Sequence, residues 1–391
     1  MKSVLIFNPE HDLALAYGKP NYIPSATVRM MRGDLAVLPM WCAQPGDRVL
    51  AASAYNDGFV KKMCDLFPLG VELMVPVELG ENGGLCARPW GWDESVRREL
   101  EGAGMASEGL CAPDFPQRMR VMAHRAKAVE LLGRLRCEEG ACGESQLLCS
   151  DEACRNFVEG HERCVLKAPL SGSGKGLNWC KGEYTDHIAN WCRNVMDGQG
   201  AVVGEPMYEK VLDFAMEFRL TGEWCAFAGY SLFNTNRSGA YDANWLAGNN
   251  RIVERIAEYV PAERLQRVCS RLESELFELF GGSYEGYLGV DMMVCSVEGA
   301  YRLHPCVEVN LRMNMGVVSR LFYDRFCDSG SEGEYHIDYF TKAEEALRHH
   351  RSMEEEHPLV VAGGRIVEGY MPLTPVHKNT RYAAWVLLRR S

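Results

Sequence analysis

Residues 289–312 restrict the fold more than any other stretch of the chain. Gly289-Val290-Asp291-Met292-Met293-Val294 leads to Glu298-Gly299, and Tyr301 to Arg312 then alternate cleanly. Side chains along a strand point to opposite faces in turn. Tyr301, Leu303, Pro305, Val307, Val309 and Leu311 therefore share one face, and His304, Cys306, Glu308, Asn310 and Arg312 the other. A two-residue turn at Glu298-Gly299 pairs Val297 with Ala300 and sets Asp291 opposite Cys306. Asp291 then joins Glu308 and Asn310, while Val290, Met292 and Val294 back Leu303, Pro305 and Val307. Diagonal neighbours across such a pair lie about 7–8 Å apart, close enough to converge on one cation. An odd loop length would reverse this register unless a bulge restored it. Two carboxylates and an amide oxygen are hard ligands that suit Mg²⁺ better than zinc. A solvated edge hairpin is the bland alternative, but it would crowd like charges without return.

A second constellation lies upstream. Val165-Leu166-Lys167-Ala168-Pro169 reads as a strand and runs into Ser171-Gly172-Ser173-Gly174-Lys175-Gly176. Alternate glycines let successive N–H groups turn into one concavity that suits phosphate oxygens, and Lys167 and Lys175 add positive charge. A Walker A loop is excluded, because Pro169 and Gly176 stand where Gly and Ser or Thr are required. A dinucleotide fingerprint fails as well, since Leu177 occupies the place of its third glycine.

Around these motifs the chain divides. Ser3 to Phe7, Arg48 to Ala52 and Val71 to Val77 read as strands with helical patterns between them, such as Asp57 to Leu66, which predicts an α/β lobe over residues 1–112. A loop with Gly102, Gly104, Gly109, Pro113 and Pro116 marks the boundary. One helix is expected over about Gln117 to Leu135. A second α/β region extends to about Tyr323, followed by a charged helix over Lys342 to His350 and strand-like segments at Ile366 to Leu373 and Tyr382 to Leu388. A chain of 391 residues predicts two to three lobes. Its formal net charge of −11, without a Lys/Arg cluster, argues against nucleic acid as a partner. No apolar run approaches the roughly 20 residues of a membrane span, and the run Val4 to Phe7 is too short for a signal-peptide core. A cytoplasmic location is expected, with the sixteen cysteines as reduced thiols. Cys137, Cys142, Cys149, Cys154, His161 and Cys164 are spaced more loosely than the tight pairs of a structural zinc site.

A glycine-rich loop headed by a strand lysine, followed much later by Gly-Val-Asp and Glu-x-Asn-x-Arg, resembles the ATP-grasp superfamily over about Asp114 to Arg320. The resemblance implies a fold of the α/β and α+β classes, with the N-terminal lobe preceding two α+β subdomains that clasp ATP. It implies an ATP-grasp domain over 113–345, with a linker helix and lid subdomain to about 204 and a metal-binding subdomain over about 205–345; a separate helix and strand pair over 346–391 packs on the core. Lys167 then corresponds to a lysine on the ATP phosphates and Ser171, Gly172, Ser173, Gly174, Lys175 and Gly176 to the phosphate lid. Glu205, Pro206, Met207 and Tyr208 correspond to the hinge that receives adenine. Glu217 resembles the acidic residue opening the next subdomain, and Asp213 lines the nucleotide cleft. Asp291, Glu308 and Asn310 match the ligands of two magnesium ions, and Arg312 the arginine that steadies the transferring phosphoryl group. Many members carry a lysine before the lid; here Arg125 stands near that place.

The implied activity is an ADP-forming ligase that activates a small-molecule carboxylate as an acyl phosphate for attack by an amine or thiol. A phosphotransferase using the same cleft, or a nucleotide-binding regulatory protein, are the alternatives, and homo-oligomerisation stays open. Arg219 and Arg237 are candidates for a substrate carboxylate, since a guanidinium offers bidentate contacts. Asn8, His11 and Asp12 follow the first strand, where open α/β sheets place ligands. Surface arginines that bind nothing are the competing reading for Arg219 and Arg237, and satisfied loop polars for Asn8, His11 and Asp12.

Overall fold

The computed structural model describes residues 2–172, 176–235 and 241–390. Its first lobe is a parallel sheet in the order β3-β2-β1-β4, formed by β1 (Lys2–Ile6), β2 (Arg48–Leu50), β3 (Glu72–Met74) and β4 (Leu85–Pro89). Helices α1 (His11–Tyr17), α2 (Ala26–Asp34), α3 (Asp57–Leu66) and α4 (Glu94–Gly102) accompany it. The strand at Leu85–Pro89 carries no clean alternation and was not expected from the sequence. Val4 and Ile6 pack with Leu50, Leu85 and Leu100 in a core belonging to this lobe. Leu5 and Phe7, on the opposite face, pack instead with Trp41, Phe322, Phe326, Ile366 and Val386.

The single helix expected over Gln117 to Leu135 is two helices, α5 (Phe115–Met122) and α6 (Ala126–Leu135). The break falls at Ala123-His124-Arg125, where His124 Nδ1 accepts the Ala126 amide at 3.1 Å and the Arg125 amide donates to the Pro169 carbonyl at 3.1 Å. These contacts replace helical hydrogen bonds and turn Arg125 toward the glycine loop.

The middle unit is an antiparallel sheet in the order β5-β8-β6-β7, from β5 (Gln146–Leu148), β6 (Cys164–Lys167), β7 (Leu177–Cys180) and β8 (Val202–Pro206), with α7 (Asp151–Glu159) and α8 (Asp186–Gln199). It has its own core, including Cys154, Cys164, Cys180 and Cys192. Ser150 and Thr185 cap the two helices by accepting the Ala153 and Ile188 amides, as their side chains favour.

The third sheet is antiparallel, in the order β13-β12-β9-β10-β11-β14-β17-β16-β15. Its strands are β9 (Glu209–Leu220), β10 (Cys225–Thr235), β11 (Tyr241–Leu246), β12 (Gly286–Val297), β13 (Ala300–Asn310), β14 (Ser331–Tyr339), β15 (Val360–Ala362), β16 (Arg365–Pro372) and β17 (Tyr382–Arg390). Helices α9 (Asn249–Ala257), α10 (Ala262–Phe280), α11 (Met315–Phe326) and α12 (Glu345–Glu356) complete the chain. The charged helix therefore begins three residues later than its composition implied, after Glu344 in a left-handed conformation (φ 63°). The last strands are hydrogen-bonded members of the large sheet, β17 lying between β14 and β16.

The hairpin of β12 and β13 turns at Glu298 (φ 53°) and Gly299 (φ 77°), both left-handed, as a two-residue turn with the twist of its strands requires. Val297 faces Ala300 and Met293 faces His304, as the alternation predicts, but Asp291 faces Glu308 rather than Cys306. Two extra residues of β13 are accommodated between His304 and Glu308. Pro305 lies in this interval and has no N–H to give to the ladder, which explains why regular pairing lapses there.

Candidate active site

The lapse at Pro305 sets the geometry of the site. Because two residues are inserted, Glu308 and Asn310 keep the face the alternation gave them and slide toward Asp291. Asn310 Nδ2 donates to Asp291 Oδ2 at 3.0 Å. Burial, and then the negative charges of Glu308 and Glu217, hold the Asp291 carboxyl well above the usual carboxylate range. A donor set of oxygens whose ionisation is opposed by its own neighbours is one that a divalent cation relieves, so these residues fit magnesium.

Glu217 lies on β9, where it faces Gly289 across the ladder to β12. It is 1% exposed. Ser231 Oγ donates to its Oε1 at 2.9 Å, and Asn314 Nδ2 donates to its Oε2 at 3.0 Å. Burial raises its pKa to about 7, against the lowering effect of those two hydrogen bonds and of the Arg312 charge. A β-carbon on Gly289 or Gly316 would collide with this carboxyl, which accounts for glycine at both positions. Asn314 also caps α11, accepting the Val317 amide at 2.8 Å. Ser231 and Asn314 were not singled out from the sequence; the helix-capping pattern at Asn314 was the legible signal.

Two cations approach this carboxylate group, Arg125 and Arg312, and a third, Lys167, pairs with Glu205. Arg125, 7% exposed, donates to Glu308 Oε1 at 2.7 Å, to Ser171 Oγ at 2.8 Å and to the Ala168 carbonyl at 2.5 Å. It thereby ties the start of the glycine loop to the hairpin. Arg312 Nε donates to Asp12 Oδ1 and Oδ2 at 2.9 and 3.0 Å, and its Nη2 to Asp12 Oδ2 at 2.6 Å. Lys167 Nζ stands 2.5 Å from Glu205 Oε2, with both side chains buried, and Ser145 Oγ donates to Glu205 at 3.2 Å. Glu308, Asn310, Arg312, Ser171, His11 and Asp12 line one cavity between the N-terminal lobe, the glycine loop and the hairpin.

The residues expected at the hinge lie at the end of β8 and just beyond it. Pro206 is half-buried, Met207 is exposed at 42%, and Tyr208 packs edge-on to His304 with ring centroids 5.6 Å apart. His304 is fully buried, and burial lowers its pKa to about 4, with Glu205 opposing and Lys167 adding to the shift. Asp213 pairs with Lys210 at 2.5 Å. Gly176 takes the left-handed φ of 71° at the exit of the loop. Ser173, Gly174, Lys175 and Arg237 lie outside the described residues.

Of the remaining candidates, His11 borders the cavity and the others fall elsewhere. Asn8 is fully buried; its amide donates to the Gly91 carbonyl at 2.8 Å and to Asp93 at 3.1 Å, so its hydrogen-bonding capacity serves the N-terminal lobe. His11 is 1% exposed, with Nδ1 3.6 Å from Asp93 Oδ2, and its ring fills the space beside Gly91. Arg219 is exposed and lies over the Tyr287 ring at 5.6 Å, outside the cavity lining. Among the described residues no group of three or more His, Cys, Asp or Glu is gathered as a metal site. No helix among them is long and apolar enough to cross a membrane.

No family model matches the sequence, and neither does any curated protein. The fold does have solved counterparts. The biotin carboxylase domain of Hydrogenobacter thermophilus 2-oxoglutarate carboxylase, a dimer in complex with MgADP, ADP and bicarbonate, is 13% identical, with 99% of this chain and 86% of that chain covered at a TM-score of 0.54. A biotin carboxylase–beta-gamma-ATP complex from Campylobacter jejuni is 11% identical, with 100% and 88% covered at 0.54. N5-carboxyaminoimidazole synthetase from Staphylococcus aureus complexed with ADP is 10% identical, with 99% and 93% covered at 0.50. These are ATP-grasp proteins. The chain has the ATP-grasp fold over its full length.

Proposed function

We propose that the protein is an ATP-dependent, ADP-forming ligase that activates a small-molecule carboxylate as an acyl phosphate for attack by an amine or a thiol. The observation that carries this reading is the convergence of Asp291, Glu308 and Asn310 on one hairpin face, with Arg312 lining the same cavity as Glu308 and Asn310. The reading draws support from the nucleotide complexes of the neighbours and from bicarbonate in the H. thermophilus structure.

Asp291, Glu308 and Asn310 would hold magnesium, two ions on the family pattern, and the metal would neutralise phosphate oxygens. The protein's own groups do the rest. Lys167 and the loop from Ser171 to Gly176 receive phosphates, and Glu205 to Tyr208 the adenine, with Asp213 at the edge of the cleft. Arg125 holds Glu308 and Ser171 in one frame. Arg312 supplies fixed positive charge where the phosphoryl group passes, and such preorganised charge is the main requirement of phosphoryl transfer. Glu217 anchors the floor through Ser231 and Asn314. All sixteen cysteines are free thiols, which supports the cytoplasm as its location.

ADP release from Mg-ATP, measured against panels of carboxylates, amines and thiols, tests the assignment. A ligase releases ADP and free phosphate only with both co-substrates, and mass spectrometry finds the joined product. A phosphorylated product from one co-substrate makes it a phosphotransferase. Nucleotide binding with no turnover under any pairing overturns the enzyme reading.

A further inference from the structure

Arg312 stands on the metal-binding side of the molecule, yet its guanidinium is gripped from the N-terminal lobe. Asp12, in the first turn of α1, engages Nε and Nη2, and Nη1 donates to the Met313 carbonyl at 3.1 Å. A guanidinium has five N–H groups, so these contacts leave two for the cavity. The pair is largely buried, with side-chain exposures of 17% and 21%. Burial opposes charge on Asp12, but the charge and hydrogen bonds of Arg312 outweigh it and hold the carboxyl below its usual range. Asp12 also touches the glycine loop: a β-carbon on Gly172 would stand 2.6 Å from its Oδ2. One carboxylate of the first lobe thus meets Arg312, the loop and the cavity wall shared with Glu308 and Asn310.

We propose that Asp12 is a positioning residue for phosphoryl transfer, fixing Arg312 by one edge so that its other N–H groups serve the transferring group; this rests on the nucleotide reading above. An arginine side chain carries roughly 2 kcal/mol of rotamer entropy, which would otherwise be lost during the reaction. Held beforehand, the guanidinium needs no reorganisation when charge moves. The N-terminal lobe then contributes to the chemistry through Arg312, which Asp12 holds in place.

The test compares two complexes, MgADP and MgADP with aluminium fluoride, which mimics the transferring phosphoryl group. Calorimetry is run on the wild type, Asp12→Asn, Asp12→Glu, Arg312→Lys and the double variant Asp12→Asn/Arg312→Lys. Asp12→Asn is expected to bind MgADP within twofold of the wild type and the fluoride complex about tenfold more weakly, in line with the cost of small misplacements. Asp12→Glu should recover part of that loss, and Asp12→Asn should add little in the Arg312→Lys background, because residues acting as one unit are non-additive. A merely structural role would weaken both complexes together. Equal fluoride affinity in Asp12→Asn and wild type, or losses that add fully with Arg312→Lys, overturn the positioning role. Failure of the wild type to bind MgADP overturns the nucleotide reading instead.

Discussion

Lys167 Nζ and Glu205 Oε2 lie 2.5 Å apart on neighbouring strands of the middle sheet, and both side chains are nearly closed off from water. The pair joins a residue expected at the phosphates to one expected at the base, so the two ends of a nucleotide site share one electrostatic unit.

Lys167→Met is therefore expected to damage both stability and binding. Removing one partner of a buried pair costs about 3–5 kcal/mol. Adding Glu205→Gln should recover most of the stability without recovering Mg-ATP affinity. Urea unfolding and calorimetry on the single and double variants separate the two effects. Full Mg-ATP affinity in the double variant would remove Lys167 from the site.

Glu308→Gln should abolish magnesium-dependent turnover. Relief of carboxylate crowding alone argues for a variant as stable as the wild type, or slightly more so. Arg125 reverses that expectation: it donates to Glu308 at 2.7 Å from a buried position, and a charge-assisted bond weakens when its acceptor becomes neutral. A loss of about 1–3 kcal/mol is expected in chelator-treated protein. Unchanged activity would show that the metal site is misassigned.

Glu217 predicts a pH dependence of stability. Its folded pKa of about 7 exceeds the ordinary value of 4.5, so between those values the folded state holds a proton that the unfolded chain has lost. Its contribution is complete below about pH 4.5 and declines as pH rises through 7, by up to about 3 kcal/mol. Glu217→Gln should flatten that decline. Urea midpoints at pH 5 and 8 for both proteins, in chelator, give the comparison; a steeper decline in the variant contradicts the assignment.

Gly316→Ala tests the packing around the same carboxyl. Its β-carbon would collide with Glu217 Oε1 and Ser231 Oγ, displacing a hydrogen bond. Overpacking of this kind costs about 1–3 kcal/mol. Thermal unfolding measures it, and a neutral result would mean that the carboxyl has room to move.

The hairpin was legible because alternation and a two-residue turn are local, and parity alone puts Asp291 and Glu308 on one face. The registration of Asp291 with Glu308 was not, because the pairing defect depends on where Pro305 falls against β12. The break between α5 and α6 was hidden for a related reason: Ala123 and Arg125 are acceptable helix residues, and only the distant Pro169 carbonyl makes the interruption favourable. Asp12 stood in the expected ligand region after β1, but its bond to Arg312 spans 300 positions, and no local pattern reports such a contact. The Lys167–Glu205 pairing was missed similarly, since each residue had a separate expected role.

The interior place of β17 has a consequence for biosynthesis. Tyr382–Arg390 fills the gap between β14 and β16, and Trp41 of the first lobe donates to the Leu373 carbonyl from 332 positions away. The face of the first sheet that carries Leu5 and Phe7 packs on Trp41 and Phe67 of its own lobe, but its contacts with Phe322 and Val386 wait for chain synthesised much later. That core closes only once Val386 of β17 is available to it, and contacts of such high sequence separation form slowly.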